Sequence, residues 1–243
     1  MLECEITDIR TFKDIIQVTD KIVDEIKITC DNDGMRYSCL DRGHVSFISA
    51  DFNKDYFFTY NCEEPETLTV DSTELLNILK RAKSNDLLRI SHDESNLILT
   101  FVGEATRTFR IRLIDAEYDN PTPPHIEYPV TRLELSFKDW WDTVKDLELY
   151  TDKITIKTNG DQLLVSGEGD KGSYEAELQA LDNNADRAYK STFSLDHVKK
   201  LSSVSGSLYL SFGTDMPILL ESMNDVEGYS YGMLIAPRIE AED

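Results

Sequence analysis

The chain has 243 residues, 40% of them hydrophobic, enough to bury a core in one large domain or two of ordinary size. Its 46 acids outnumber 25 Lys and Arg to give a formal charge of −21, which taken alone argues against nucleic acid. No apolar run approaches the roughly 20 residues of a membrane span, and the start Met1-Leu2-Glu3-Cys4-Glu5 lacks signal-peptide character.

Asp8–Lys21 is predicted as a helix. Ile9, Phe12, Ile15, Ile16 and Ile22 form its apolar stripe, with Arg10, Lys13, Gln17 and Lys21 opposite. Ile26–Asp31 and Met35–Leu40 alternate as strands around Asn32-Asp33-Gly34, a hairpin turn that tolerates positive φ. Cys30 and Cys39 flank this turn and could face each other. Cys4, Cys30, Cys39 and Cys62 show no CxxC spacing, however, and buried free thiols in a reducing cytosol fit better. Val45–Phe52 and Tyr56–Tyr60 continue as strands. Leu68–Val70 leads to Asp71, the cap of a second helix with Glu74 as capping-box partner. Leu75, Leu76, Leu79 and Ala82 face inward there, leaving Asn77, Lys80, Arg81 and Lys83 outside. Leu87–Ser91, Leu97–Val102 and Arg107–Ile114 are further strands. Residues 115–129 then hold four of the seven prolines, Pro121, Pro123, Pro124 and Pro129. Proline fixes φ and gives no N–H to a ladder, so this run is an extended connector.

After it the pattern restarts. Arg132–Leu135 is a strand, and Ser136 caps a third helix with stripe Phe137, Trp140, Val144 and Leu147. Ile154–Thr158 and Leu163–Gly167 alternate around Asn159-Gly160-Asp161. These segments overlay Ile26–Cys39 in phase, and Thr-Asp-Lys-Ile recurs at Thr19–Ile22 and Thr151–Ile154. Tyr174–Leu178 is a strand. Ser194 caps a fourth helix with Leu195, Val198 and Leu201 inside and Asp196, Lys199 and Lys200 outside. Leu208–Phe212, Ile218–Glu221 and Tyr229–Ile235 complete the strands. The fold class is α+β: two similar domains, 1–115 and 131–243, joined by 116–130, each an antiparallel sheet with helices on one face.

Ten cations lie on the outer faces of the four predicted helices: Arg10, Lys13 and Lys21; Lys80, Arg81 and Lys83; Lys138 and Lys145; Lys199 and Lys200. Solvated helix faces commonly carry Lys, and Lys80–Lys83 also suit a helix C-terminus. The acids, by contrast, fall mostly in turns, strand edges and the tail Glu240, Glu242 and Asp243. One basic layer in an acidic protein is the distribution expected if that layer faces a polyanion through its phosphates. Two strands carry opposite outer charges. Phe109, Ile111 and Leu113 point one way against Thr108, Arg110 and Arg112. Tyr174, Ala176 and Leu178 oppose Glu175 and Glu177. If both are edge strands, they can join copies head to tail; otherwise their charges are simply solvated.

No phosphate loop, GxSxG, HExxH or dinucleotide fingerprint is present, and no cofactor is implied. Asp31-Asn32-Asp33-Gly34 resembles the start of a calcium loop, but Arg42 stands where the ligating Glu belongs. A duplicated α+β enzyme binding Mg²⁺ through an acidic cluster for phosphoryl transfer is the reading from another class.

Taken together, Leu40-Asp-Arg-Gly-His44-Val45-Ser, Leu75-Leu-Asn-Ile-Leu-Lys80-Arg-Ala, Phe109-Arg-Ile-Arg-Leu-Ile-Asp115, Asp215-Met-Pro217-Ile-Leu-Leu-Glu221 and Leu234-Ile-Ala236-Pro237-Arg238-Ile-Glu240 resemble the sliding clamps of the proliferating cell nuclear antigen family, archaeal type. The resemblance covers essentially the whole chain. It implies a non-enzymatic homotrimeric ring, or a subunit of a heterotrimeric one, with helices lining a hole around duplex DNA. It also implies an archaeal cytoplasmic location (nuclear in a eukaryote), and partners that include DNA polymerase, a clamp loader, flap endonuclease and DNA ligase. These dock through a short peptide motif in an apolar pocket, whose matching positions here are Leu40, His44, Val45, Pro121, Pro123, Pro124, Pro217, Met233, Leu234, Ala236 and Pro237. The implied subunit joint uses Phe109, Arg110 and Arg112 against Tyr174, Glu175 and Glu177. Asp142 and Asp196 stand on outer helix faces where many members are basic.

Overall fold

The computed structural model describes residues 1–158, 162–181, 183–203, 207–224 and 228–239. Two compact units emerge. Unit one comprises 1–42, 48–123 and 223–231, and unit two 43–47, 124–222 and 232–243.

Unit one opens with β1 (Leu2–Ile6), α1 (Ile9–Asp20), β2 (Glu25–Asp31) and β3 (Gly34–Leu40). β4 (Ser46–Asn53), β5 (Thr59–Cys62), β6 (Glu66–Asp71) and α2 (Ser72–Leu79) follow, then β7 (Leu87–His92), β8 (Asn96–Val102) and β9 (Arg107–Arg112). Unit two holds β10 (Val130–Leu135), α3 (Phe137–Leu147), β11 (Lys153–Thr158), β12 (Leu163–Gly169) and β13 (Gly172–Leu178). It continues with β14 (Ala180–Leu181), β15 (Tyr189–Ser194), α4 (Leu195–Val198), β16 (Leu208–Phe212), β17 (Ile218–Asn224) and β18 (Tyr229–Ile235). β4, β17 and β18 each have residues in both units.

The strand order occurs twice. The run β5-β1-β7-β8-β9 matches β14-β10-β16-β17-β18, and β4-β3-β2-β6 matches β13-β12-β11-β15. The repeat legible in the sequence is therefore a repeat of topology, with β9 equivalent to β18 and β13 to β4. β4 and β18 are neighbours: Asn53 N donates to Gly228 O at 2.9 Å inside unit one, and Ala236 N to Val45 O at 2.9 Å inside unit two.

Local chemistry explains the elements. In α1, Asp8 Oδ1 accepts from Thr11 N at 3.3 Å, and Ile9, Phe12, Ile15 and Ile16 recur at helical spacing on the buried face. Asp71 Oδ1 accepts from Glu74 N at 2.8 Å to start α2, and Ser136 Oγ from Asp139 N at 3.3 Å to start α3. In β8 the buried residues Leu97, Leu99 and Phe101 alternate with half-buried ones, as a strand with one face on the core requires. Trp140, Phe52, Phe101, Phe193 and Phe212 are fully buried.

Several expectations need correction. α2 ends at Leu79 and α4 spans only Leu195–Val198, so Lys21, Lys80 and Lys199 are C-caps, while Arg81, Lys83 and Lys200 lie beyond their helices. Both short helices end in tightening bonds, Ala82 N to Leu79 O at 3.1 Å and Leu201 N to Val198 O at 3.2 Å. Ser194 makes no side-chain capping bond. The expected strand from Tyr56 begins at Thr59, because Lys54–Tyr56 forms a 3₁₀ turn that Asn53 caps by accepting from Asp55 N at 2.8 Å. Tyr56 turns inward there, its hydroxyl donating to Asp8 O at 2.7 Å and its ring 4.9 Å from Phe52. Phe137 is half-buried and stacks on Trp141 rather than joining the core stripe.

The first hairpin turns on two residues, Asn32 and Asp33, with Gly34 paired to Asp31, and neither turn residue has positive φ. Gly34 does, at 147°, and a Cβ there would stand 2.1 Å from Phe52 O. Asp31 Oδ1 accepts from Asp33 N at 3.0 Å, so the calcium-like run is a hairpin turn. Cys30 faces Met35 rather than Cys39, and all four cysteines are free and buried. Burial pushes the Cys39 thiol up to about 12 and raises Cys4 and Cys30 as well. The second predicted turn, Asn159-Gly160-Asp161, and the tail residues Glu240, Glu242 and Asp243 lie outside the described residues.

Candidate functional site

The ten cations divide by partner. Arg10 and Lys13 share Asp14, at 3.7 and 3.5 Å, and Lys83 reaches Glu104 only at 4.0 Å. Lys80 and Arg81 make no ion pair among the described residues. On α3, Lys138 and Lys145 both reach Asp142, at 3.5 and 2.7 Å, and Lys199 pairs with Glu148. Lys145, then Lys138, hold the Asp142 carboxyl below its usual range. Burial lowers Lys21. Unit one therefore presents the less neutralised cations. Arg10, Lys13, Lys80 and Lys83 line one cleft of about 290 Å³ between the start of α1 and the turn after α2. That turn is held by Arg107, which no sequence motif singles out. Arg107 donates to Arg81 O at 2.9 Å and pairs with the buried Asp86, which also accepts from Lys83 N at 2.8 Å. A lone acid among the cations after a helix was the available signal.

β9 and β13 each end a strand run. Arg110 and Arg112 are exposed on β9, where Phe109 is half-buried with its ring 5.9 Å from Phe101. Glu175 and Glu177 are exposed on β13, and the half-buried Tyr174 donates its hydroxyl to Asp146 at 3.2 Å. The opposite outer charges thus stand on two strands that, among the described residues, each have one unpaired edge.

The apolar candidates fall in both units. In unit one, Leu40 is 36% exposed, and Pro121 lies on a segment strapped to the hairpin. Ser38 Oγ donates to Pro121 O at 2.6 Å, Asn120 Nδ2 to Lys27 O at 2.8 Å, and Lys27 Nζ to Tyr118 O. Pro123 is exposed. Residues 113–128 form neither helix nor strand, and Pro121, Pro123 and Pro124 withhold ladder N–H groups within that run. In unit two, His44 is exposed with φ of 54°, and Pro124 is exposed. Val45, Pro217, Ala236 and Pro237 are half-buried. Leu234 is 9% exposed, and Met233 is fully buried in its unit's core.

Among the described residues no group of three or more His, Cys, Asp or Glu converges to hold a metal ion. No helix is long and apolar enough to cross a membrane.

Residues 1–120 match the family model of the proliferating cell nuclear antigen N-terminal domain. A DNA polymerase sliding clamp from Methanothermobacter thermautotrophicus is 39% identical over 248 residues, covering 100% of both chains. Among solved structures, the proliferating cell nuclear antigen of Thermococcus kodakaraensis superposes with a TM-score of 0.92 at 24% identity, over 98% of this chain and 100% of that one. An A. fulgidus homologue bound to the C-terminal region of FEN-1 gives 0.88 at 24%, over 100% of both. These two likenesses establish the clamp fold. With a relative this similar along its whole length, the chain belongs to the archaeal DNA polymerase sliding clamps of the proliferating cell nuclear antigen family, a family of non-catalytic processivity factors.

Proposed function

We propose that three copies of this chain close head to tail into a homotrimeric ring around duplex DNA. The observation that carries this reading is the doubled strand order. β18 and β4 are neighbours within the chain, while their equivalents β9 and β13 each leave an edge unpaired. The same pairing is therefore open to β9 of one copy and β13 of the next. Phe109, Arg110 and Arg112 meet Tyr174, Glu175 and Glu177 in that joint, cation against acid.

Inside the ring, Arg10, Lys13, Lys21, Lys80, Arg81, Lys83, Lys138, Lys145, Lys199 and Lys200 attract phosphates without reading bases, which leaves the clamp no preferred stopping place. The A. fulgidus homologue binds a flap endonuclease tail. By that likeness this clamp takes peptide motifs of flap endonuclease, DNA polymerase, DNA ligase and a clamp loader. His44, Val45, Pro124, Pro217, Met233, Leu234, Ala236 and Pro237 serve in unit two, and Leu40, Pro121 and Pro123 in unit one. The same reading takes 1–115 and 131–243 as the two domains, 116–130 as their connector, and the cytoplasm as the location.

Light scattering tests the assembly. A solution mass near three times the 27.8 kDa chain supports the homotrimer. A single-chain mass at micromolar concentration and moderate salt overturns it and points to a heterotrimer that needs other subunits.

A further inference from the structure

We infer that the cleft between the start of α1 and the turn after α2 is a seat for a free inorganic oligophosphate, a di- or triphosphate, held without DNA. Four cations line it, Arg10, Lys13, Lys80 and Lys83, together with Thr7 and Ser84. The lining carboxylates are already engaged. Asp8 accepts from Thr11 N at 3.3 Å, and Asp86 is paired with Arg107 and accepts from Lys83 N at 2.8 Å. The cations are only partly neutralised. Arg10 and Lys13 share one acid, Asp14, and Lys80 has no ion pair among the described residues. The Glu104 that Lys83 reaches at 4.0 Å is 94% exposed. Exposed pairs of that kind are weak and readily exchanged for a better anion.

Size and lining narrow the ligand class. The cleft holds about 290 Å³, room for on the order of ten waters at ~30 Å³ each, which exceeds what one phosphate needs and suits a short chain of them. Its apolar lining is Ile9, Leu79 and Ala82, with no aromatic ring on which a base could stack. Recognition therefore runs through the phosphate chain and is indifferent to any base attached. A duplex backbone offers the same chemistry but brings single charges spaced along a strand. A triphosphate concentrates several charges in one cleft, where charge-assisted bonds from four cations reinforce one another. The inference touches the function proposed above at one point: these cations are also assigned to the duplex, so a bound oligophosphate and a DNA phosphate exclude each other here.

The test is calorimetric titration of the DNA-free protein with tripolyphosphate in metal-free buffer, at low and at near-physiological salt. The wild type is expected to bind tripolyphosphate at least tenfold more tightly than orthophosphate, and nucleoside triphosphates of different bases alike. Lys13→Ala with Lys80→Ala is expected to lose at least tenfold, while Lys138→Ala with Lys145→Ala stays within twofold. Equal affinity for orthophosphate and tripolyphosphate means an adventitious ion only and overturns the inference. Unchanged binding in the cleft variant, or a strong base preference, does the same. Duplex affinity measured on the same variants keeps the two readings apart. If duplex binding weakens while tripolyphosphate does not bind, the oligophosphate seat falls and the DNA surface stands. If tripolyphosphate binding is lost while duplex binding is unchanged, the seat stands and these residues leave the DNA surface.

Discussion

The Ala236 backbone N–H donates to the Val45 carbonyl at 2.9 Å, continuing the alignment of β18 and β4 beyond the residues of either strand. This bond fixes two apolar side chains close by, the nearly buried Leu234 and the half-buried Val45. In the function proposed above both line the pocket that receives the anchor side chains of a partner peptide, and burying such an anchor is worth about 1.5–3 kcal/mol. Leu234→Ala with Val45→Ala is therefore expected to weaken a labelled partner peptide by roughly 100-fold or more. Fluorescence anisotropy measures this, with light scattering to show that assembly survives. Retained peptide affinity in an assembled variant places the pocket elsewhere.

The oppositely charged edges predict a charge-reversal experiment. Arg110→Glu with Arg112→Glu sets like charges against Glu175 and Glu177 across the proposed joint. The mass is expected to fall from three chains toward one at micromolar protein. Adding Glu175→Arg and Glu177→Arg restores opposite signs and is expected to restore the larger mass. An unchanged mass in the first variant refutes the joint, and failure of the swap to rescue assembly argues for a non-electrostatic defect.

Unequal neutralisation of the cations predicts unequal shares of DNA binding. Lys80 and Arg81 have no acid partner among the described residues, and Lys83 has a distant one, whereas Asp142 holds both Lys138 and Lys145. Replacing Lys80, Arg81 and Lys83 by Ala is expected to reduce the slope of log affinity against log salt by about 0.9 for each phosphate that is no longer neutralised. Replacing Lys138 and Lys145 is expected to change it less. Salt titrations of duplex binding decide; equal slopes for the two variants sink the ranking.

Much of this architecture could be read from residue spacing, and the failures have local causes. The bounds of β18, Tyr229–Ile235, match the apolar run, and the buried stripe of α1 matches its helical spacing. Lys80–Lys83 reads as helical because Ala82 continues the inward stripe of Leu75, Leu76 and Leu79, whereas the helix ends at Leu79 and the cations serve its C-terminal turn. The β propensity of Tyr56 conceals the capping Asn53 and the aromatic cluster that draws its ring inward. The prolines of 121–129 match a segment that is neither helix nor strand over 113–128. The side chains that strap it, Ser38 and Asn120, gave no signal, since each is an ordinary polar residue until the fold brings Pro121 O and Lys27 O within reach.

Two carboxylates titrate with opposite consequences. The Arg36 hydrogen bond holds the Asp31 carboxyl below its usual range, with help from backbone N–H groups. Its folded value lies below its unfolded one, so its contribution to stability is present above the unfolded value and is lost as pH falls through the folded one. Asp31→Asn keeps an oxygen to accept from Asp33 N but removes the charge. It is expected to lower the urea midpoint at pH 7 and to match the wild type at acid pH. Glu221 behaves in reverse. Burial raises its value, only partly opposed by Arg132. The protonated form is favoured in the folded state, so its ionisation costs stability as pH rises toward and through the raised value. Glu221→Gln is therefore expected to raise the midpoint at pH 7, with the gain disappearing once the pH drops below the unfolded carboxylate range. Urea titrations of both variants across that window measure the two slopes, and slopes of the same sign overturn the assignment of at least one environment.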